Sequence, residues 1–288
     1  MQKILICAAF AVFGSGMGLG HTAIPASAHE THADTTYLAN EAILVAQGDT
    51  KVLFDPFFPS GFGTYQEVPD DMKTAIMAGT PPFDGIDAIF VSHVHPDHFS
   101  APDTIAYMRA HRDVHLFISA QGVEMLREET TPDNAIFKRV QAFALEYGDT
   151  AKTITIGDIT AEAVRIPHAG WPSRADVQNL VFRVTLGEGT TVMHMGDADV
   201  NDSHYKPHDS HWKARVTDHA FPPYWFFDSE EGNTILTTRI NAKTATGIHV
   251  PIKVPAGLTN GPHDYFSKIG ESRTITPAPK LAKDQPDE

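Results

Sequence analysis

Cysteine is almost missing from this sequence: there is one, Cys7, in 288 residues. It falls in a stretch that reads as a removable leader, so the remaining chain has neither disulfides nor a thiolate to offer a metal. Packing and bound metal must then supply its stability. Positive charge is also scarce. Lys and Arg number 22 against 36 Asp and Glu, for a formal net charge of -14. That balance argues against a nucleic-acid backbone or an anionic membrane surface as the main partner. It also disfavours a polyanionic substrate unless metal ions reverse the charge locally. A long apolar run is absent at the N-terminus, where residues 4–13 are apolar but too few to remain as a membrane span.

What is present in that segment has the order of a secretory signal. Lys3 gives a positive start, residues 4–13 the apolar stretch, and Ala26-Ser27-Ala28 a small-residue cleavage site. Ile6 stands before Cys7 where a lipoprotein site wants a small residue. The expectation is a signal peptide over 1–28, one α/β domain over 29–266, and a disordered tail over 267–288, rich in Pro, Lys and Asp. The mature protein would be periplasmic or secreted, with no stable membrane anchor.

The most informative stretch is Phe-Val-Ser-His-Val-His-Pro-Asp-His-Phe at 90–99. His93, His95, Asp97 and His98 follow directly on the apolar run Ile86, Ala88, Ile89, Phe90 and Val91. A buried strand ending this way delivers imidazoles and a carboxylate to one point at a sheet edge. Mixed imidazole and carboxylate donors suit zinc or a neighbouring first-row metal. The spacing lets His93 and His95 face one ion while Asp97 and His98 turn toward a second.

His-x-His-x-Asp-His after an apolar strand resembles the signature of the metallo-β-lactamase superfamily. The resemblance implies an α/β fold, the four-layer αβ/βα sandwich of that type, with one or two metals held between two β-sheets. It implies roles for further residues: His168, after Ile166-Pro167, joins His93 and His95 at the first metal. Asp197, after Val192-Met193-His194-Met195-Gly196, bridges both metals, with Asp199 as its competitor. His249, in Ile248-His249-Val250-Pro251, completes the second set with Asp97, His98 and Asp197. Asp55-Pro56 matches the end of the superfamily's opening hairpin, where the aspartate braces the metal loop or simply caps a turn. The implied cofactor is Zn2+, two per chain, with Mn2+ or Fe2+ as alternatives, and the implied partner is a small-molecule substrate. Asp97 and Asp197 would orient a metal-activated water in hydrolysis.

The cadence of the motifs is similar to the branch that holds ascorbate-phosphate lactonase-like hydrolases and N-acyl-phosphatidylethanolamine phospholipases. An ester-type bond, lactone or phosphodiester, is therefore the expected target, with Arg174 either a solvated loop charge or a residue that meets a phosphate. A β-lactamase or signal lactonase is the narrower alternative, and the lack of a thiolate weighs against the former. A non-catalytic metal- or ligand-binding protein on the same fold is the alternative of another class. A flavodoxin-fused redox protein would need a longer chain.

Local patterns fill in the remainder. Apolar residues at 37–45 and 52–54 mark two strands, with Gln47-Gly48-Asp49-Thr50 as the hairpin turn between them. Loop 57–65, mixing glycine, proline and aromatics, is read as a substrate wall or else a loop that serves packing alone. Helices are expected over 70–78, 101–111, 121–128 and 229–242. Strands are expected over 114–119, 151–156, 159–166, 180–186, 191–195 and 217–227. His111 and His115 read as structural and His194 as a core or supporting residue. His204, His208, His211 and His219, interleaved with aromatics, suggest either a pocket lining or an ordinary helix and strand.

Overall fold

A computed structural model describes residues 32–187 and 189–278. The leader expected over 1–28 lies outside the described residues, as do residues 279–288 of the expected tail. One sheet contains β1 (Ala33–Ala39), β2 (Ala42–Gln47), β3 (Thr50–Phe54), β4 (Ala88–Phe90), β5 (His115–Ser119) and β6 (Val140–Phe143). The other contains β7 (Lys152–Ile156), β8 (Ile159–Arg165), β9 (Leu180–Thr185), β10 (Thr191–His194), β11 (Thr217–Phe221), β12 (Ala242–Gly247) and β13 (Asp264–Tyr265). The chain then returns to add β14 (Ser272–Ile275) to the edge of the first sheet, beside β1. In each sheet an antiparallel meander joins a parallel set: β3 to β6 in the first and β10 to β13 in the second.

The central strands, such as β2, β4, β9 and β10, are buried on both faces, which is why they read as continuous apolar runs, whereas the edge strands β7 and β14 are largely exposed. Side chains alternate between two cores. Val52, Phe54, Ala88, Phe90 and Phe117 meet Ala161, Leu180, Phe182, Val192 and Phe221 between the sheets. Leu53, Ile89, Val91, Leu116 and Ile118 face outward onto α1 (Asp70–Ala78), α2 (Ala101–Ala110) and α3 (Ala120–Glu129). Val164, Val181, Met193 and Ala220 face the opposite way, onto a layer that includes Tyr205, Trp212, Phe226 and Leu236. The result is a four-layer αβ/βα sandwich. Among the described residues no helix is long and apolar enough to cross a membrane.

Four expectations need correction. The apolar stretch 37–45 is not one strand, because Asn40 adopts φ 48° and turns the chain between β1 and β2. Asparagine tolerates this left-handed conformation better than most residues. The tail does not begin at 267: Phe266 stacks on Tyr37 at 5.1 Å and Ile275 enters the inter-sheet core, so β14 has apolar anchors that outweigh its polar neighbours. The strand at 217 stops at Phe221, where Pro222-Pro223 removes the donors a ladder needs. The helix expected over 229–242 forms only as two short pieces, Glu230–Thr234 and Ile235–Arg239, since Gly232 and successive β-branched residues weaken it.

Candidate metal centre

The C-terminal ends of β1, β3, β4, β8, β10 and β12 open onto one edge of the sandwich. The loop after β4 places His93 Nε2 3.1 Å from His95 Nδ1, which is itself 3.1 Å from His168 Nε2 beyond β8. Asp197, beyond β10, closes this first cluster, with Oδ2 3.0 Å from His168 Nε2 and 3.9 Å from His93 Nε2. Its other oxygen turns to a second cluster. Asp197 Oδ1 lies 3.4 Å from His98 Nε2 and 3.1 Å from His249 Nε2, and Asp97 Oδ2 lies 3.6 and 3.4 Å from the same two nitrogens. All seven residues expected at the site are thus brought together, and each cluster draws on both sheets. Asp199 turns away, its Oδ1 accepting from Asn201 N at 3.0 Å.

Supporting hydrogen bonds fix which ring nitrogen faces inward. Asp55 Oδ1 accepts from Ser92 N at 2.7 Å, and Oδ2 accepts from Ser92 Oγ at 2.5 Å and His98 Nδ1 at 2.9 Å. With its proton committed to Asp55, Ser92 Oγ accepts from His93 Nδ1 at 3.1 Å. His168 Nδ1 donates to the Ala169 carbonyl at 2.7 Å. The Nε2 atoms of His93, His98 and His168 are left facing the interior, the arrangement a metal ligand requires, with Arg174 Nη1 3.4 Å from that of His168. Asp55 therefore orients one imidazole in each cluster, directly at His98 and through Ser92 at His93.

Backbone geometry serves the same end. Asp55 and His249 both adopt left-handed φ, 42° and 57°, a strained conformation for a side-chain-bearing residue that typically marks functional positions. Gly196 has φ 54°, and a Cβ there would stand 2.4 Å from Asn179 Oδ1 and 2.7 Å from Ser92 Cβ. Asn179 Oδ1 accepts from Asp197 N at 3.0 Å, while its Nδ2 donates to the carbonyls of Ile166 and Met195. The strand ends carrying His168 and Asp197 are tied together by that one buried amide.

The donor set fits metal ions. His98 Nε2, Asp197 Oδ1 and both ring nitrogens of His249 are buried without a hydrogen-bond partner, and each such group costs about 1–3 kcal/mol if left unmet. Lone pairs converging from three imidazoles likewise demand a cation. Burial, and then the charges of neighbouring histidines, lower His93 well below the usual histidine range. Burial opposes charge on His98 as well, but Asp197 and Glu41 raise it well above that range.

Two residues at this edge escaped the sequence reading. The Asn40 carbonyl accepts from His249 N at 3.0 Å, and Asn40 Nδ2 donates to the Asp97 carbonyl at 2.9 Å. Glu41 is fully buried beneath the second cluster, its Oε2 3.6 Å from His98 Nδ1. The only sequence signal was a polar Asn-Glu pair interrupting an apolar run. His194 accompanies them, its ring stacked on Phe54 at 5.0 Å and its Nε2 donating to the Glu41 carbonyl at 3.0 Å.

A cavity of about 320 Å³ opens over the clusters, lined by Phe62, Tyr65, His95, Pro96, Asp97, Arg174, Asp197 and His249. Loop 57–65 does form a wall of it: the Tyr65 ring sits 4.0 Å from the His249 ring and Phe62 is 60% exposed. The histidine-rich segment does not line it. His208 packs against Trp212, His211 lies between Arg183 and Glu162, and His219 bonds Thr244 and Thr246. From that region Trp225 alone reaches His249, at 5.4 Å between ring centres.

Comparisons with known proteins identify the family and the fold. Residues 50–256 match the sequence profile of the Beta-lactamase superfamily domain. A UPF0173 metal-dependent hydrolase of Pyrococcus furiosus is 26% identical over 167 residues, which cover 57% of this chain and 61% of that protein. The chain thus spans less than two thirds of that curated relative. Two solved structures share the fold. The metallo-beta-lactamase fold protein YhfI of Bacillus subtilis is 15% identical with a TM-score of 0.54, covering 85% of this chain and 100% of that one. Igni18, a metallo hydrolase of the archaeon Ignicoccus hospitalis, is 12% identical with a TM-score of 0.55, covering 85% and 99%.

Proposed function

The chain belongs to the beta-lactamase superfamily, in its metallo-β-lactamase fold, and on that premise we propose that it is an exported metal-dependent hydrolase. It holds two metal ions and cleaves an ester-type bond, lactone or phosphodiester, in a small molecule. The observation that carries this reading is Asp197, whose two oxygens serve two different clusters of inward-facing imidazoles. His93, His95 and His168 hold the first ion, an imidazole-rich set that suits zinc. Asp97, His98 and His249 hold the second, with Asp197 shared. When bound, the ions supply a water acidified toward neutral pH and positive charge for the oxygen that becomes negative.

The chain's own groups do the remainder. Asp97 and Asp197 border the cavity and orient the attacking water. Tyr65 keeps its phenolic proton far into alkaline pH, because burial and then the charge of Asp197 raise it. Its O–H is therefore a donor toward a substrate oxygen. Arg174 is the one Lys or Arg lining the cavity and meets an anionic group next to the scissile bond. Phe62 and Tyr65 cover the apolar part of the substrate. The leader over 1–28 delivers the protein to the periplasm or beyond.

Metal content per chain, paired with hydrolysis of chromogenic lactones, phosphodiesters and a cephalosporin, tests the reading. Two ions with turnover of an ester class is the expected result. Absence of metal after reconstitution, or metal with turnover of the cephalosporin alone, refutes it. Mass spectrometry of the exported chain should find His29 at its N-terminus.

A further inference from the structure

Glu41 is the buried group that the proposed reaction leaves without a task. It is 0% exposed, and neither carboxylate oxygen has a hydrogen-bond partner. The nearest nitrogens, His98 Nδ1 at 3.6 Å and His194 Nε2 at 3.7 Å, lie beyond hydrogen-bonding reach of its carboxylate and are committed to Asp55 and to the Glu41 carbonyl. Charged or neutral, the group leaves polar atoms unmet in the interior, an arrangement rarely tolerated without a ligand.

Its surroundings say what is missing. A Glu41 oxygen, a His98 nitrogen, an Asp197 oxygen and a His249 nitrogen all lie within 4.8 Å of one another. Donors on opposite sides of one ion stand roughly 4–4.5 Å apart, so this is the span of a single coordination shell. The inward aim of Glu41 is built into the fold. Asn40 turns the chain at φ 48°, and His194, clamped against Phe54, holds the Glu41 carbonyl. Asp55, the other carboxylate nearby, is already engaged by three donors.

We propose that Glu41 is a further ligand of the second metal, which makes that site richer in carboxylate than the first and the better of the two for a hard ion such as Mn2+. This rests on the two-metal reading above. The two sites then differ in kind. The first gathers three imidazoles and one carboxylate oxygen, a set that suits zinc. The second gathers Glu41 and Asp197 with two imidazoles, and Asp97 adjoins both rings; this greater share of carboxylate suits an ion of higher coordination number and harder character.

The test uses the metal-stripped chain, titrated with Mn2+ alone, Zn2+ alone and an equimolar mixture, with bound metal measured by elemental analysis. With manganese alone the wild-type protein should fill the second site more tightly than the first, and in the mixture zinc should displace manganese from the first site before the second. Glu41→Gln, nearly isosteric, should bind manganese more weakly by over 100-fold, beyond the roughly 10–100-fold cost of losing a supporting hydrogen bond, and keep its first zinc. A Glu41→Gln chain that takes two ions with wild-type manganese affinity overturns the inference while leaving the two-metal reading intact, and identifies the space beside Glu41 as a water site. A wild-type chain that takes up fewer than two ions overturns both. Should the variant not fold, cobalt at the second site of the wild-type chain decides. Weak visible absorption, typical of five or six ligands, supports the assignment, and intense tetrahedral absorption refutes it.

Discussion

Gly196→Ala is the substitution whose consequences can be followed furthest. The position requires φ 54°, which costs a residue with a Cβ about 1–2 kcal/mol. The new methyl would stand 2.4 Å from Asn179 Oδ1 and 2.7 Å from Ser92 Cβ, an overlap of about 1 Å against ordinary contact distances. Neither neighbour is free to move: Asn179 is held by three hydrogen bonds and Ser92 by Asp55. Overpacking of this kind adds about 1–3 kcal/mol. The sum, roughly 2–5 kcal/mol, is a large part of a typical stability of about 5–15 kcal/mol, so the chain folds but is much weakened. Urea unfolding followed by circular dichroism should show a midpoint lower by about 1–2 M. Displacing Asn179 also frees Asp197 N and the carbonyls two residues before His168 and Asp197, so metal affinity should fall roughly 10–100-fold. An unchanged midpoint together with unchanged metal affinity would refute the argument.

Other expectations follow from the same geometry. Asp197→Ala should lower metal content by more than about 100-fold in affinity and abolish turnover, whereas His111→Ala, whose ring bonds the Met77 carbonyl in the outer helix layer, should leave both intact; full metal content in the former would sink the bridging assignment. Asp55→Asn should weaken both ions roughly 10–100-fold with secondary structure preserved, and equilibrium dialysis showing a loss at only one site would contradict the shared role of Asp55. His219 offers a pH test. Burial, with Arg273 adding to it and Asp264 opposing, lowers it to about 4, below an unfolded value near 6.5. The unfolded chain then binds the extra proton, so stability falls as pH drops below about 6.5, by about 2 kcal/mol at pH 5. Metal-free wild-type protein should lose that much more between pH 7 and pH 5 than His219→Gln, and equal losses would show that the ring is already charged.

The parts of this molecule legible in the sequence are those whose meaning is carried by covalent spacing. His93, His95, Asp97 and His98 share one short loop after an obviously buried strand, and Gly196-Asp197 announces a tight exit by its own composition. The turn at Asn40 and Glu41 was hidden for the opposite reason. Its hydrogen bonds run to Asp97, His194 and His249, residues remote in the chain, and the apolar side chains around it continue unbroken into the next strand. Ile275 was missed because one buried residue in a polar tail has no period to betray it. The histidines at 208, 211 and 219 were ambiguous since a packed imidazole and a pocket imidazole look alike until their neighbours are known.

The division of each cluster between the two sheets has a consequence for how the protein matures. The first sheet alone offers Glu41, His93, His95, Asp97 and His98; the second alone offers His168, Asp197 and His249. Neither half possesses a closed set of donors, so an intermediate with one formed sheet has little grip on an ion. Capture must accompany or follow the docking of the halves through their shared aromatic interior. On the two-metal proposal, seated ions would act as rivets through the seam, and their release rate would measure how often the sandwich opens at that edge.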